Sequence, residues 1–214
     1  DEKFYRNFLL PCLRFVDPET AHSLAVKAAE YRLVPKLPKP KADLQTRVFG
    51  LTFPSPVGLA AGFDKNGEAV PGLFDLGLGS VEIGSVTPLP QDGNPKPRIF
   101  RLLQDDAVIN RCGFNSAGHD VVLYNLQESG MDDPAKRPAP LGINLGKNKT
   151  SEDATNDYVQ GVKFFGPVAD YLVINVSSPN TPGLRNLQAK QALSSLLSAV
   201  LDARDSLKRR VPLL

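Results

Sequence analysis

Polar side chains follow apolar segments at several points in the chain, and their types are suited to chemistry. Ser177 and Ser178 come at the end of the apolar run 171–176, and Lys65 follows the run 57–60. A serine hydroxyl acts as a base or a nucleophile when a neighbour activates it, and a lysine supplies a cation that offsets developing negative charge. Asn144 and Asn175, at two such positions, add amides that both donate and accept hydrogen bonds.

Several common enzyme classes lack their required residues here. His22 and His119 are the two histidines; neither lies near Ser178 in the sequence, and no His-Glu-x-x-His zinc motif occurs. No Gly-x-Ser-x-Gly elbow is present either. The glycines from Gly77 precede a strand instead of opening a helix, which excludes a dinucleotide fingerprint. We therefore expect no hydrolase triad and no metal site.

Composition narrows the possible partners. With 25 basic and 23 acidic side chains the formal net charge is +2, too small to track a phosphate backbone, so nucleic acid is not expected. No apolar run reaches the roughly 18 residues that cross a bilayer. Cys12 and Cys112 show no paired spacing, which favours a reducing compartment over a disulfide framework.

Short apolar strands alternate with helix-like segments after residue 44. Such alternation predicts a parallel sheet covered by helices. The strands are expected at 57–60, 81–84, 141–145 and 171–176, and the helices near 67–76, 118–129, 152–165 and 187–208. Because every strand ends in a polar or glycine-rich group, an eight-fold (β/α)8 TIM barrel is favoured over an open doubly wound sheet. Residues 211–214 look like the start of a fifth strand, so about the first half of a barrel is expected, as part of a longer chain.

The segment before that domain differs from it in composition. Residues 4–16 and 18–34 predict a helical hairpin, with Asp17 as the cap and Pro18 at the first helical position. Prolines alternate with lysines after it and predict a stiff linker. We therefore divide the chain into a helical subdomain at 1–35, a linker at 36–44 and the α/β domain at 45–214, which opens with a small hairpin near 48–53.

Six strings in one order resemble the class 2 dihydroorotate dehydrogenases, the quinone-reducing enzymes. They are AAGFDKNG at 60–67, EIGSVTP at 82–88, GNPKPR at 93–98, INRCGFN at 109–115, LGKNKT at 145–150 and NVSSPNTPG at 175–183. The last string alone would also suit a capped turn after a strand, but the other five accompany it. The resemblance implies that flavin mononucleotide (FMN) accepts hydride from dihydroorotate, that ubiquinone is the final oxidant and that orotate is made for pyrimidine (UMP) biosynthesis.

The resemblance also implies a role for individual residues. Ser178 would be the catalytic base, where the soluble class 1 enzymes have a cysteine. Since no histidine is its neighbour, burial and a water chain toward Thr181 would have to activate it. The substrate would be bound by Lys65, Asn110, Arg111, Cys112, Gly113, Phe114, Asn175, Asn180 and Thr181. FMN would be bound by Ala61, Gly62, Lys65, Gly84, Ser85, Asn144 and Asn175.

In the same resemblance, the N-terminal helices form the apolar mouth of a quinone tunnel. They would contact the mitochondrial inner membrane peripherally, or be anchored by a segment preceding Asp1; in a bacterium the membrane would be the cytoplasmic one. The tunnel would be lined by Leu9, Leu10, Leu13, Leu24 and Ala25, with His22 and Arg101 as polar contacts of the quinone head. An ordinary helical hairpin is the alternative for this segment.

Two alternatives remain open for the whole protein. Another flavin barrel, acting on dihydropyrimidines or dihydrouridine, would be expected to carry a cysteine in place of Ser178. A non-catalytic half-barrel that serves as a binding module is the other. Bound flavin, visible by its absorbance, separates an enzyme of this kind from such a module.

Overall fold

Helices and strands alternate along the chain as the sequence predicts. The computed structural model describes Lys3, residues 5–38 and residues 40–214. The helices are α1 (Leu10–Arg14), α2 (Pro18–Glu30), α3 (Val70–Asp75), α4 (His119–Glu128), α5 (Ala154–Phe165) and α6 (Lys190–Asp205). The strands are β1 (Thr46–Val48), β2 (Leu51–Phe53), β3 (Val81–Val86), β4 (Ile99–Leu102), β5 (Ala107–Asn110), β6 (Leu141–Leu145) and β7 (Tyr171–Ile174). A π-helical turn at Tyr5–Leu9 precedes α1, and short 3-10 helices lie at Ala42–Leu44, Pro134–Lys136 and Leu184–Gln188.

A parallel sheet with the order β3-β6-β7 forms the centre of the fold. Leu59 makes a parallel bridge to Val81 at one side, and Leu213 makes one to Leu172 at the other. The predicted first strand and the segment 211–214 therefore extend the sheet, and its neighbours follow chain order. Helices connect the strands, and the fold is of the α/β class.

The first strand and the first helix of this domain are shorter than predicted. Leu59 makes a single bridge, and α3 begins at Val70 instead of 67. The buried carboxylate of Asp64 accepts hydrogen bonds from the backbone N–H groups of Asn66, Glu68 and Ala69. Those bonds stabilise residues 64–69 as a loop, because the side chain satisfies amides that a helix would otherwise use.

The antiparallel hairpin β4–β5 was not predicted. Ile99 pairs with Asn110 and Leu102 with Ala107. Strand β5 has four residues, all exposed, and its short apolar run 107–109 lacks the alternation from which a half-buried strand is predicted. The smaller hairpin β1–β2 is present where the sequence indicated it.

Helix α2 packs directly against the α/β domain. Asp17 caps it as predicted, accepting from the Thr20 N–H at 2.9 Å. Val26 and Ala29 are buried in the same core as α3. Gly72 permits the close approach, since a Cβ there would lie 1.9 Å from the Ala29 carbonyl oxygen. Within the described part of the chain, no helix is long and apolar enough to cross a membrane.

Candidate active site

A cavity of about 670 Å³ opens where the parallel strands end in their loops. Helix α2, the loop after Leu59, the end of β3, the hairpin β4–β5 with its following loop, and the loop after β7 all contribute to it. The predicted site residues that line it are His22, Ala61, Gly62, Lys65, Gly84, Ser85, Arg101, Asn110, Cys112, Gly113, Phe114, Asn175, Ser178 and Asn180. Positions up to 158 residues apart in the chain thus meet at one edge of the sheet.

Three polar side chains form a hydrogen-bonded cluster at this edge. The Asn175 Nδ2 donates to the Ser85 Oγ at 3.0 Å and to the Asn144 Oδ1 at 3.2 Å. The Ser85 hydroxyl also donates to the Asn144 Oδ1. Parallel pairing places Gly84 opposite Asn144, so the ends of neighbouring strands present these groups at one level. We call Ser85, Asn144 and Asn175 the amide cluster.

A carboxylate, that of Glu82, is hydrogen-bonded to the amide cluster. The Glu82 Oε1 accepts from the Asn144 Nδ2 at 2.9 Å, and its Oε2 accepts from the Tyr171 hydroxyl at 3.2 Å. The Tyr158 hydroxyl donates to the Asn175 carbonyl at 2.7 Å. Burial and then Glu82 raise the pKa of Tyr171, so its hydroxyl keeps its proton. Sequence reasoning missed Glu82, although a charged residue inside an apolar strand could have indicated it.

Asparagines connect the loops that border the cavity. The Asn180 Nδ2 donates to the Asn110 carbonyl at 3.3 Å and lies 3.4 Å from its Oδ1. The Asn94 Nδ2 donates to the carbonyls of Arg111 and Asn180, at 2.9 and 3.1 Å. Asn94 was not predicted as a site residue, yet it lies in the string at 93–98 that carried part of the resemblance.

Comparison with known proteins decides the family. The family model described as "Dihydroorotate dehydrogenase" matches residues 43–214. The chain belongs to the dihydroorotate dehydrogenase family. It is 56% identical over 212 residues to "Dihydroorotate dehydrogenase (quinone), mitochondrial" of Mus musculus, an alignment that covers 97% of this chain and 54% of the mouse protein.

Other members of the family are similar to this chain to a comparable degree. Identity is 52% over 204 residues to "Dihydroorotate dehydrogenase (quinone)" of Bradyrhizobium sp. (strain ORS 278), covering 94% of this chain and 54% of the relative. The crystal structure of DHODH in complex with ferulenol from Eimeria tenella has a TM-score of 0.85 at 50% identity, covering 92% of this chain and 53% of that one. The chain spans about half the length of the relatives it matches.

Lys65 is a partly buried basic side chain on the cavity wall. Burial is the main cause that lowers the pKa of Lys65, and the nearby Arg98 lowers it further, while Cys112 and Glu19 oppose the shift. Burial likewise lowers the pKa of His22, followed by the charge of Lys65. His22 is therefore neutral at pH 7, and Lys65 and Arg101 are the basic side chains of the cavity wall, in a partly desolvated setting where a charge interacts more strongly with an anion than it does in water.

Ser178 lines the cavity beside its loop neighbours. Its Oγ accepts from the Asn180 N–H at 3.3 Å. His119 is remote from it: the ring is buried between Phe164 and Phe165, at centroid distances of 5.2 and 5.1 Å. In the described ranges, no group of three or more His, Cys, Asp or Glu side chains could hold a metal ion.

Some predicted site residues lie outside the cavity. Thr181 is buried, and its Oγ1 has no hydrogen-bond partner within the described chain. The Arg111 guanidinium donates to the Pro97 carbonyl and stacks on Phe100, 5.7 Å from the ring centroid. The predicted quinone contacts that do not line the cavity are Leu9, Leu10, Leu13, Leu24 and Ala25. Helix α2 instead contributes Pro18 and Ala21 beside His22.

Proposed function

We propose that the protein to which this chain contributes oxidises dihydroorotate to orotate, with FMN as hydride acceptor and ubiquinone as final oxidant, in pyrimidine biosynthesis. The observation that carries the proposal is the meeting of Ser178, Lys65, Asn110 and Asn180 in one cavity beside the amide cluster. These are the residues to which the family resemblance assigns base and substrate-binding roles. The quinone-specific name of the mouse relative, at 56% identity, supports the same conclusion.

The architecture proposed for this activity is the first half of a (β/α)8 barrel. Sequential parallel order from Leu59 to Leu213 supports it, because a doubly wound sheet reverses its strand order at a switch point. The site lies at the carboxyl ends of the strands, as in barrel enzymes. We keep the division into a helical subdomain at 1–35, a linker at 36–44 and the barrel portion at 45–214.

The cavity suits FMN. Gly62 lines it with φ at +106°, and a Cβ there would project into open space, so the glycine leaves room for a ligand against the backbone. Ala61, Gly84, Lys65 and the amide cluster would hold the flavin. When bound, FMN supplies the hydride-accepting step that no side chain can perform.

The chain's own residues would bind the substrate and move the proton. Asn110 and Asn180 offer the donors and acceptors that a ring with carbonyl, N–H and carboxylate groups requires. Lys65 offsets negative charge on the substrate. Ser178 removes a proton from the ring carbon, while Phe114 and the amides exclude water and fix the orientation. Arg111, Cys112, Gly113 and Thr181 complete the proposed substrate site.

Quinone is proposed to enter beside α2. His22 and Arg101 lie on the cavity wall, and the His22 ring makes an edge contact with Phe63 at 5.2 Å. Leu9, Leu13 and Ala25 would line the outer approach. Phe15 and Leu33, which flank the two ends of α2, are 94% and 77% exposed, and such exposed apolar side chains support the proposal of peripheral contact with the mitochondrial inner membrane or a bacterial cytoplasmic membrane.

The test uses the full-length protein under anaerobic conditions. Dihydroorotate should bleach the flavin absorbance, and a ubiquinone analogue should restore it, whereas fumarate and nicotinamide cofactors should not. A flavin that dihydroorotate leaves oxidised would contradict the proposal. Efficient turnover with fumarate and without quinone would contradict the assignment of the quinone.

A further inference from the structure

Glu82 places a carboxylate inside the sheet, next to the amide cluster. It lies in β3 two residues before Gly84, so the two residues face the same side of the strand. Pairing puts Glu82 opposite Gly142, and Gly142 opposite Tyr171. Because Gly142 has no side chain, the Tyr171 ring lies across it; a Cβ would come within 2.2 Å of that ring. The absent side chain lets the Tyr171 hydroxyl reach Glu82.

The hydrogen bonds of Glu82 decide which way the Asn144 amide faces. A carboxylate can only accept, so it requires the Asn144 Nδ2, at 2.9 Å. The Asn144 Oδ1 then accepts from Ser85 and Asn175. A flipped amide would set its Nδ2 against the Asn175 Nδ2, two donors, and its Oδ1 against the carboxylate, two acceptors. The orientation of the whole amide cluster therefore depends on Glu82.

We propose that Glu82 is a positioning residue of the flavin site, acting through Asn144. It presets the amide cluster for the flavin and places a negative charge behind it. The inference rests on the proposed function, since it assumes that FMN binds at this cluster. Negative charge disfavours the addition of electrons to a nearby flavin, so the carboxylate keeps the reduction potential of the flavin low.

Two substitutions separate the effect of Glu82 on the orientation of the Asn144 amide from the effect of its negative charge. In Glu82→Gln the side-chain oxygen can still accept from Asn144 while the new amide donates to the Tyr171 oxygen, so orientation is kept and charge is lost. In Glu82→Leu both are lost, and the Asn144 Nδ2 has no partner. Tyr171→Phe is the matched control, because it removes one bond to Glu82 and leaves Asn144 bound to it.

The measurements are the FMN dissociation constant of the full-length protein, by fluorescence titration, and the midpoint potential of the bound flavin. We expect Glu82→Leu to weaken FMN binding about tenfold, the usual effect of one unsatisfied buried donor. Glu82→Gln should bind FMN within a few-fold of the wild type but shift the potential to more positive values. Tyr171→Phe should change the affinity little.

The outcomes distinguish this inference from the proposed function. A Glu82→Leu protein with wild-type affinity and potential would overturn the inference alone. If Glu82→Leu fails to fold, an unchanged potential in Glu82→Gln would overturn it as well. A merely structural role would lower the melting temperature of the flavin-free variants and leave the potential unchanged. Wild-type protein without flavin would overturn the proposed function and the inference together.

Discussion

Ser178 shows how much of the proposed chemistry depends on one hydroxyl. It lines the cavity, and its Oγ has one hydrogen bond, accepted from the Asn180 N–H at 3.3 Å. Among the described residues no histidine is hydrogen-bonded to it, although His22 lines the same cavity, so it differs from the serine of a hydrolase triad. In the proposed function, its activation would have to come from the partly buried surroundings and from a water chain toward the buried Thr181 Oγ1, which has no partner within the described residues.

Substituting Ser178→Ala should separate flavin binding from flavin reduction. The variant should keep its flavin, because the role proposed for the side chain is proton removal and not cofactor binding. Reduction by dihydroorotate should slow about a hundredfold or more, the usual contribution of a general base. Anaerobic stopped-flow mixing with dihydroorotate measures this rate directly.

Ser177→Ala is the matched control for that experiment. Ser177 is exposed, and its hydroxyl bonds to the Asn175 Oδ1, which the Ser177 N–H also reaches at 3.1 Å. Loss of the hydroxyl alone should therefore have a small effect. A Ser178→Ala enzyme that reduces its flavin at nearly the control rate would show that another group is the base.

At the scale of elements, the contact between α2 and α3 holds the helix that carries His22 against the α/β domain. The two helices approach so closely that backbone meets backbone at Gly72 and Ala29. Buried Arg98 adds a bond to Glu19 at 2.6 Å. Helix α2 thus has a defined position, and with it His22 at the cavity wall.

Gly72→Ala should disturb that position. A Cβ 1.9 Å from a carbonyl oxygen cannot be relieved by a side-chain rotation, so α2 must shift. We expect the free energy of unfolding to fall by about 1–3 kcal/mol, as for other overpacked sites, and hydrogen exchange to accelerate in α2.

Gly161→Ala, in α5, is the control. It is also a buried helical glycine, but the nearest atoms to its Cβ would be side-chain atoms of Leu145, the two Cδ atoms at 3.0 Å, and not backbone. Its effect should be clearly smaller, measured by urea unfolding of the full-length protein. Equal effects would mean that the α2–α3 contact is not the reason for the loss.

At the scale of the whole molecule, one buried histidine couples stability to pH. His119 is 6% exposed, and its Nε2 has no hydrogen-bond partner within the described residues. Burial lowers the pKa of His119 to about 4. The folded protein therefore keeps the ring neutral at pH values where the unfolded chain, with the ordinary pKa of 6.5, is protonated.

Stability should accordingly fall as the pH drops through the window from about 6.5 to about 4. Protons bind the unfolded state preferentially in that range, and the loss approaches about 3 kcal/mol at its lower end. His119→Leu should remove most of this slope, measured as the free energy of unfolding at pH 7 and at pH 5. An unchanged slope would assign the acid sensitivity to other groups, such as His22.

The sequence alone determined the elements whose signals are local. Strand β6 matches the predicted 141–145, and Asp17 caps α2, because apolar runs and helix caps depend on residues a few positions apart. The six strings that carry the resemblance also indicated the family from sequence alone. Each is a short local stretch at a strand end or in a loop.

The tertiary structure alone decided which residues distant in the sequence are in contact. The contact between Glu82 and Asn144 joins positions 62 apart and depends on the register of β3 and β6. The exposed hairpin β4–β5 and the choice of Pro18 and Ala21 over Leu9 and Leu13 at the cavity wall are of the same kind. Such contacts arise because strand pairing and helix docking bring distant residues together, and no short stretch of sequence records the partner.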